Sequence, residues 1–268
     1  MYDCTRNYID GEWTASGAAT VHEIINPATE RAIGQVAYGS AEDVDQAVSA
    51  ARRAFGLFSQ WTPEQRLELL ERIVAEYKKR WEDIARAITR EMGAPAEFSM
   101  RAQTGSGLGH FRAAIAALKE LPAEQKVGQS IVLKEPVGVC GLITPWNWPI
   151  NQISCKVAPA LAAGCTVVLK PSEIAPVNAT LFAEVLHEAG VPAGVFNLVH
   201  GDGPGVGAAL SAHPDIDMMS FTGSTRAGIL VARSAAETVK RVAQELGGKS
   251  ANIILESAPL EKAVAAGV

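Results

Sequence analysis

Around Asp10-Gly11, apolar and polar positions alternate from residue 7 to residue 26, which predicts an edge hairpin with a longer returning strand. The period then becomes helical. Ser40 precedes a stretch from Ala41 to Phe58 whose Val44, Ala47, Val48, Ala51 and Phe55 share one face. Thr62-Pro63 opens a second stripe through Leu67, Leu70, Ile73, Val74 and Tyr77. A third helix is predicted from Trp81 to Met92, stopped at Gly93-Ala94-Pro95, and a fourth over roughly Glu97 to Glu120, weakened by Gly105, Gly107 and Gly109. Beyond Leu121-Pro122, one extended segment from Gln125 to Lys134 pairs locally or projects towards another subunit.

From Val137 onward the chain alternates strand and helix. Strands are predicted at Val137–Thr144, Cys165–Leu169, Val195–Val199, Asp217–Phe221, Val239–Glu245 and Ala251–Leu255, separated by helices at Ile150–Ala163, Asn178–Ala189, Val206–Leu210 and Arg226–Ala236. Residues 259–268 open a further amphipathic helix without a closing cap. The fold class is therefore α/β, a Rossmann-like, doubly wound, mostly parallel sheet, with an N-terminal helical block and a projecting β arm.

Ligands of such sheets bind beyond the carboxyl ends of the strands. Asn147 falls there after the first core strand, between Trp146 and Trp148, and Lys170 and Glu173 fall there after the second. The first turn lacks the G-x-G-x-x-G of a standard phosphate site. Gly223-Ser224-Thr225, at a later strand-to-helix junction, could hold an anion instead, although the same residues make an ordinary helix cap. Glu245 stands before Gly247-Gly248 as a candidate general base or a plain exposed charge. Lys170 and Glu173 read equally as a surface ion pair, and Asn147 as a residue that closes its turn.

Composition narrows the field. A net charge of -5 with no basic block points to no nucleic acid and no membrane as partner, and the polar start MYDCTRNYIDGEW has no signal-peptide pattern, which places the expected compartment in the cytoplasm. The four cysteines, Cys4, Cys140, Cys155 and Cys165, have no metal or disulfide spacing and read as buried thiols. The five histidines read as structural.

Four segments in order, ITPWNWP, GCTVVLKPSE, SFTGSTRAG and QELGGKSANIIL, resemble the signature segments of the NAD(P)+-dependent aldehyde dehydrogenase superfamily, and the likeness extends over essentially the whole chain. The resemblance implies NAD as cofactor, with NADP as the alternative, an aldehyde as substrate, and a homo-oligomer, dimer or tetramer. It implies Asn147 as the oxyanion amide and Glu245 as the base that activates water. Lys170, Ser172 and Glu173 would contact the adenosine ribose, and Gly223 and Ser224 the pyrophosphate. Ile143, Thr144, Pro145, Trp146, Gly203, Gly207, Phe221 and Thr222 would line the cofactor pocket. Gln244 departs from the family, where an aliphatic residue commonly precedes the glutamate. The implied organisation is a cofactor-domain hairpin and helices over 1–118, an oligomerisation arm over 119–136, an NAD-binding core over 137–248, and the start of a catalytic domain over 249–268. None of the four cysteines matches the family nucleophile, so the expectation is an amino-terminal portion, inactive by itself. The alternative is a non-catalytic nucleotide-binding or assembly module.

Overall fold

The computed structural model describes residues 1–17 and 20–267. Strands β1 (Tyr2–Cys4), β2 (Arg6–Ile9), β3 (Glu12–Ala15), β4 (Val21–Asn26) and β5 (Arg31–Ala37) open the chain. Asp10 and Gly11 take φ of 54° and 84°, the positive pair that matches a tight turn to strand twist, and β2 and β3 form the expected hairpin. The returning strand leaves it, however. β4 pairs antiparallel with β5, and β5 parallel with β1, in a separate three-stranded sheet. Sequence reading missed β5 because its few apolar residues surround Gly34; pairing on both sides makes it a strand. The part of the expected return at 18–19 lies outside the described residues.

The helical punctuation holds. In α1 (Ala41–Phe58), Ser40 Oγ accepts from the Asp43 N–H at 3.3 Å while the Asp43 carboxylate accepts from the Ser40 N–H at 2.8 Å. Thr62 and Gln65 cap α2 (Pro63–Lys79) in the same reciprocal way, and Gly93 ends α3 (Trp81–Met92) at φ 84°. The fourth helix is one run with a defect: α4 (Ala96–Phe98), a π turn at Ser99–Gln103, then α5 (Thr104–Glu120). The segment expected to be a single extended piece is a hairpin, β6 (Glu124–Val127) and β7 (Ser130–Leu133), with every residue exposed.

The alternating region contains β8 (Val139–Ile143), α6 (Pro149–Ala163), β9 (Thr166–Lys170), α7 (Pro176–Glu188), β10 (Phe196–Leu198), a π turn at Gly203–Gly207, α8 (Ala208–Ala212), β11 (Met218–Gly223), α9 (Thr225–Ala236), β12 (Arg241–Leu246) and α10 (Leu260–Gly267). The sheet order is β12-β11-β8-β9-β10-β2-β3, its first five strands parallel and the hairpin antiparallel at one edge. The strand expected at Ala251–Leu255 is absent. That run is exposed, Ile253 at 77%, and pairs with nothing among the described residues; an apolar run without a ladder partner has no reason to be a strand.

Helices cover both faces, as a doubly wound sheet requires. Cys140 and Leu142 of β8 pack into a core with Ile150, Ile153, Val157 and Phe182, whereas Val139 and Ile143 point the other way, to Val44, Val48, Met219 and Phe221. Gly141 belongs to the second face, where a Cβ would stand 3.2 Å from Leu210 Cγ; only a bare backbone admits α8 there.

Glu91 joins the helical block to this layer. Fully buried at the end of α3, it accepts from the N–H groups of Val177 (2.7 Å) and Asn178 (2.9 Å) in the first turn of α7 and from Asn178 Nδ2 (3.0 Å). Burial pushes its carboxyl up to about 8, against the pull of those donors. A carboxyl whose folded pKa lies above its unfolded one contributes stability that is complete below the unfolded value, near 4.5, and is lost as pH rises through the folded one. Unfolding free energy should therefore fall between pH 5 and pH 8, at up to ~1.4 kcal/mol per pH unit for one proton. Glu91→Gln should remove that slope in denaturant titrations at several pH values.

Candidate active site at the carboxyl edge of the parallel sheet

Chain order reverses between β8 and β11. β8 leads by way of α6 to β9 on one side, while β11 leads by way of α9 to β12 on the other. Loops that diverge in this way leave a crevice beyond the strand ends. The expected residues after both strands meet at its rim, where Ile143 and Phe221 are register partners.

Side-chain parity then divides the candidates. Ile143, Lys170 and Phe221 face the α1–α8 side. There the Gly203–Gly207 π turn brings Gly207 against them: a Cβ on Gly207 would lie 3.7 Å from Lys170 Cδ and 3.9 Å from Ile143 Cδ1. Asp202 caps this turn, its carboxylate accepting from the Gly205 N–H at 2.7 Å. Lys170 is buried, and its ammonium donates to Glu173 Oε2 at 3.1 Å and to the Gly201 carbonyl at 2.8 Å. Burial draws its pKa down, and Glu173 opposes that. The expected alternative of a surface ion pair is thus wrong for the lysine, whose side chain is 4% exposed, while Glu173 keeps 39%. Ser172 is buried, its Oγ accepting from the Ile174 N–H at 3.3 Å.

Thr222 and Glu245 are register partners on the opposite side, facing α6. Here a cleft of about 480 Å³ runs between α6 and the sheet, lined by Glu245, Ser220, Lys156 and Cys155 among others. Glu245 is exposed at its rim. Lys156, which sequence reasoning missed, donates to Ser220 Oγ at 2.8 Å; burial holds its pKa down, with Cys155 and Glu245 pulling against that. The available signal was a cation set within the apolar stripe of α6. Gln244 turns to the other face, where its amide donates to the Gly228 carbonyl at 2.6 Å and ties β12 to α9.

The loop between β8 and α6 holds Thr144, Pro145, Trp146, Asn147 and Trp148. Asn147 is exposed and its amide has no protein hydrogen bond among the described residues. Trp146 is 48% exposed. Trp148 packs edge-on against Phe98, ring centroids 5.3 Å apart. After β11, Gly223 leads to Ser224, which caps α9 by accepting from the Ala227 N–H at 3.2 Å, so the capping reading of this motif holds. Its own hydroxyl hydrogen stays free to donate. The histidines are engaged structurally, for example His200 with Thr180 and His187 with Tyr8.

These residues fit a dinucleotide. The buried hydroxyls of Thr144 and Thr222, at the ends of the two diverging strands, lack hydrogen-bond partners among the described residues, a deficit that a polar ligand would fill. Gly203 opens on empty space where a Cβ would project. Glu173 offers a half-exposed acceptor beside an ammonium, the set that ribose hydroxyls need.

The sequence matches the aldehyde dehydrogenase family over residues 13–268, and the chain belongs to that family. It is 58% identical over its whole length to 3-succinoylsemialdehyde-pyridine dehydrogenase of a Pseudomonas species, covering 56% of that relative. A cysteine-to-alanine mutant of aldehyde dehydrogenase C from Pseudomonas syringae, complexed with NAD+ and octanal, superposes with TM-score 0.97 at 52% identity, over 98% of this chain and 54% of that one. Betaine aldehyde dehydrogenase from Staphylococcus aureus, solved with NAD+, gives 0.94 at 39% identity, over 97% and 53%. The chain thus spans about half the length of the curated relatives it matches.

Lys170→Met, which keeps volume and removes charge, should cost about 1.5–3 kcal/mol of unfolding free energy, because the Gly201 carbonyl loses a buried charged donor. A cost below ~0.5 kcal/mol in denaturant titration would return the pair to the value of a surface bridge.

Proposed function

We propose that this chain supplies the cofactor-binding part, and two polar groups, of an aldehyde-oxidising site that uses NAD+. The carrying observation is the gathering of Lys170, Glu173, the glycine π turn and two unpartnered threonine hydroxyls at one strand-order reversal. Bound there, NAD+ would supply the acceptor for the two electrons of aldehyde oxidation. Glu173 and Lys170, with Ser172 closing their turn, hold the ribose hydroxyls. The negative charge of Glu173 repels a 2′-phosphate, while Lys170 leaves NADP as the weaker alternative. Gly223 and the hydroxyl of Ser224, at the start of α9, take the pyrophosphate. Ile143, Thr144, Pro145, Trp146, Gly203, Gly207, Phe221 and Thr222 wall the pocket.

Asn147, with its amide unengaged, donates to the aldehyde oxygen as negative charge develops on it. Glu245 accepts a proton from the water that releases the acid, and Lys156 stands in the same cleft. The acyl group requires a cysteine thiolate. Burial holds Cys4 and Cys155 protonated, and Cys140 and Cys165 lie away from the carboxyl edge, at the start of their strands. The nucleophile therefore belongs outside these residues, and this chain alone turns over no aldehyde. The Trp148–Phe98 pair suits an apolar or aryl aldehyde. The exposed apolar residues of the β6–β7 hairpin, Ile131 and Leu133 at 60% each, suit a homo-oligomer arm within 119–136, and free thiols suit the cytoplasm.

Calorimetric titration of the folded chain tests this. NAD+ should bind saturably and about tenfold or more tighter than NADP+, a difference of ~1.4 kcal/mol. Glu173→Gln should narrow that ratio. Absence of saturable NAD+ binding sinks the proposal, and an unchanged ratio in the variant removes Glu173 as the discriminator.

A further inference from the structure

Strand β10 stops at Leu198, the register partner of Tyr8 on β2, and the backbone beyond it is fixed one peptide plane at a time. The Val199 N–H donates to the Leu169 carbonyl at 3.0 Å. The His200 N–H donates at 3.1 Å to Oδ1 of Asn7, so a side chain of β2 takes the place of a further ladder bond. The His200 carbonyl accepts from the Gly39 N–H at 2.7 Å. The next carbonyl, that of Gly201, receives the Lys170 ammonium at 2.8 Å. A Cβ on Gly201 would run into the Val206 side chain, so a bare backbone lets the Gly203–Gly207 π turn close on this corner.

Asn7 is fully buried, and its Nδ2 has no hydrogen-bond partner among the described residues. Only its accepting oxygen is in use. A buried polar atom left unpaired costs stability, and a residue that carries this cost is best explained by what its other atom holds in place. Here that is the His200 peptide, 193 positions away in sequence.

We propose that Asn7 is a positioning residue for the cofactor ribose, acting through the His200-Gly201 backbone on Lys170. This role rests on the proposed ribose site. With the His200 peptide held by Asn7 on one side and Gly39 on the other, the Gly201 carbonyl stays where the ammonium needs it. Lys170 then meets Glu173 Oε2 at 3.1 Å, and the donor and the acceptor keep one spacing. Without the Asn7 acceptor, the peptide plane is free to turn and Lys170 loses one of its two fixed partners. The pair is then no longer set in advance for the hydroxyls of a ribose. The N-terminal hairpin thus enters the cofactor site through one amide oxygen.

Calorimetric titration of the folded chain with ADP and with 2′,3′-dideoxy-ADP separates this role from a merely structural one. The unsubstituted chain should bind ADP about tenfold tighter than the dideoxy nucleotide. Asn7→Leu, which keeps a branched shape and removes the acceptor, should lose most of that ratio by weakening ADP alone. In a Lys170→Met background, Asn7→Leu should change ADP affinity by less than about twofold, because both substitutions act on one contact. Amide exchange on the unsubstituted chain decides the matter if Asn7→Leu does not fold: ADP should slow exchange at His200 by about fivefold or more, and dideoxy-ADP should not. Equal affinity of the unsubstituted chain for the two nucleotides would remove the ribose site itself, and this role with it. A ratio that survives in Asn7→Leu, equal weakening of both nucleotides, or the same His200 protection with both would overturn the role of Asn7 and leave the ribose site standing.

Discussion

Strand β8 is hydrogen-bonded along both edges, to β9 and to β11, and every residue from Val139 to Ile143 is buried. The remaining architecture depends on that constraint. A central parallel strand has no solvent face, so its alternate side chains must serve two separate cores, and its register sets where each neighbouring strand ends. Because Ile143 is level with Lys170 on one side and with Phe221 on the other, β8 and β9 stop together while β11 runs on two residues to Gly223, and all three release their loops at one edge. A slip of one residue of β9 against β8 would turn Lys170 to the α6 side, and one of β12 against β11 would turn Glu245 away from the cleft.

Both sides of the edge carry an ammonium taken out of water. Lys170 meets a carboxylate and a carbonyl, so its charge is compensated where it lies. Among the described residues Lys156 meets only the Ser220 hydroxyl at close range, with Glu245 a more distant influence. A buried charge with incomplete pairing is costly, and such sites are more readily explained by chemistry than by stability. The two lysines thus give the two sides different characters, one rigid and satisfied, the other electrostatically open.

Much of this was legible in the chain. Helix limits were marked by Ser40, Thr62-Pro63 and Gly93, whose capping roles are local and act whatever the tertiary context. The strand-end positions of Asn147, Lys170 and Glu173 followed from β-α alternation alone. What escaped depended on partners distant in sequence. β5 exists because β1 and β4 flank it, and Ala251–Leu255 fails as a strand for want of any such neighbour. The burial of Lys170 arises from the Gly201 carbonyl, a residue separated from it by a helix and a strand. Side-chain parity across the edge, which separates Thr222 and Glu245 from Phe221, needed the observed register.

The β6–β7 ribbon carries a further consequence. Both its outer edges lack ladder partners among the described residues, and Val127, Ile131, Val132 and Leu133 lie in water. A two-stranded hairpin is marginal by itself, so most of the free energy that orders this one must come from whatever covers it. If a second copy covers it, as the proposed homo-oligomer would, its order becomes by mass action a function of concentration. The ribbon would then be a reporter as much as a structure: its amide-exchange protection would measure how fully such an oligomer has formed.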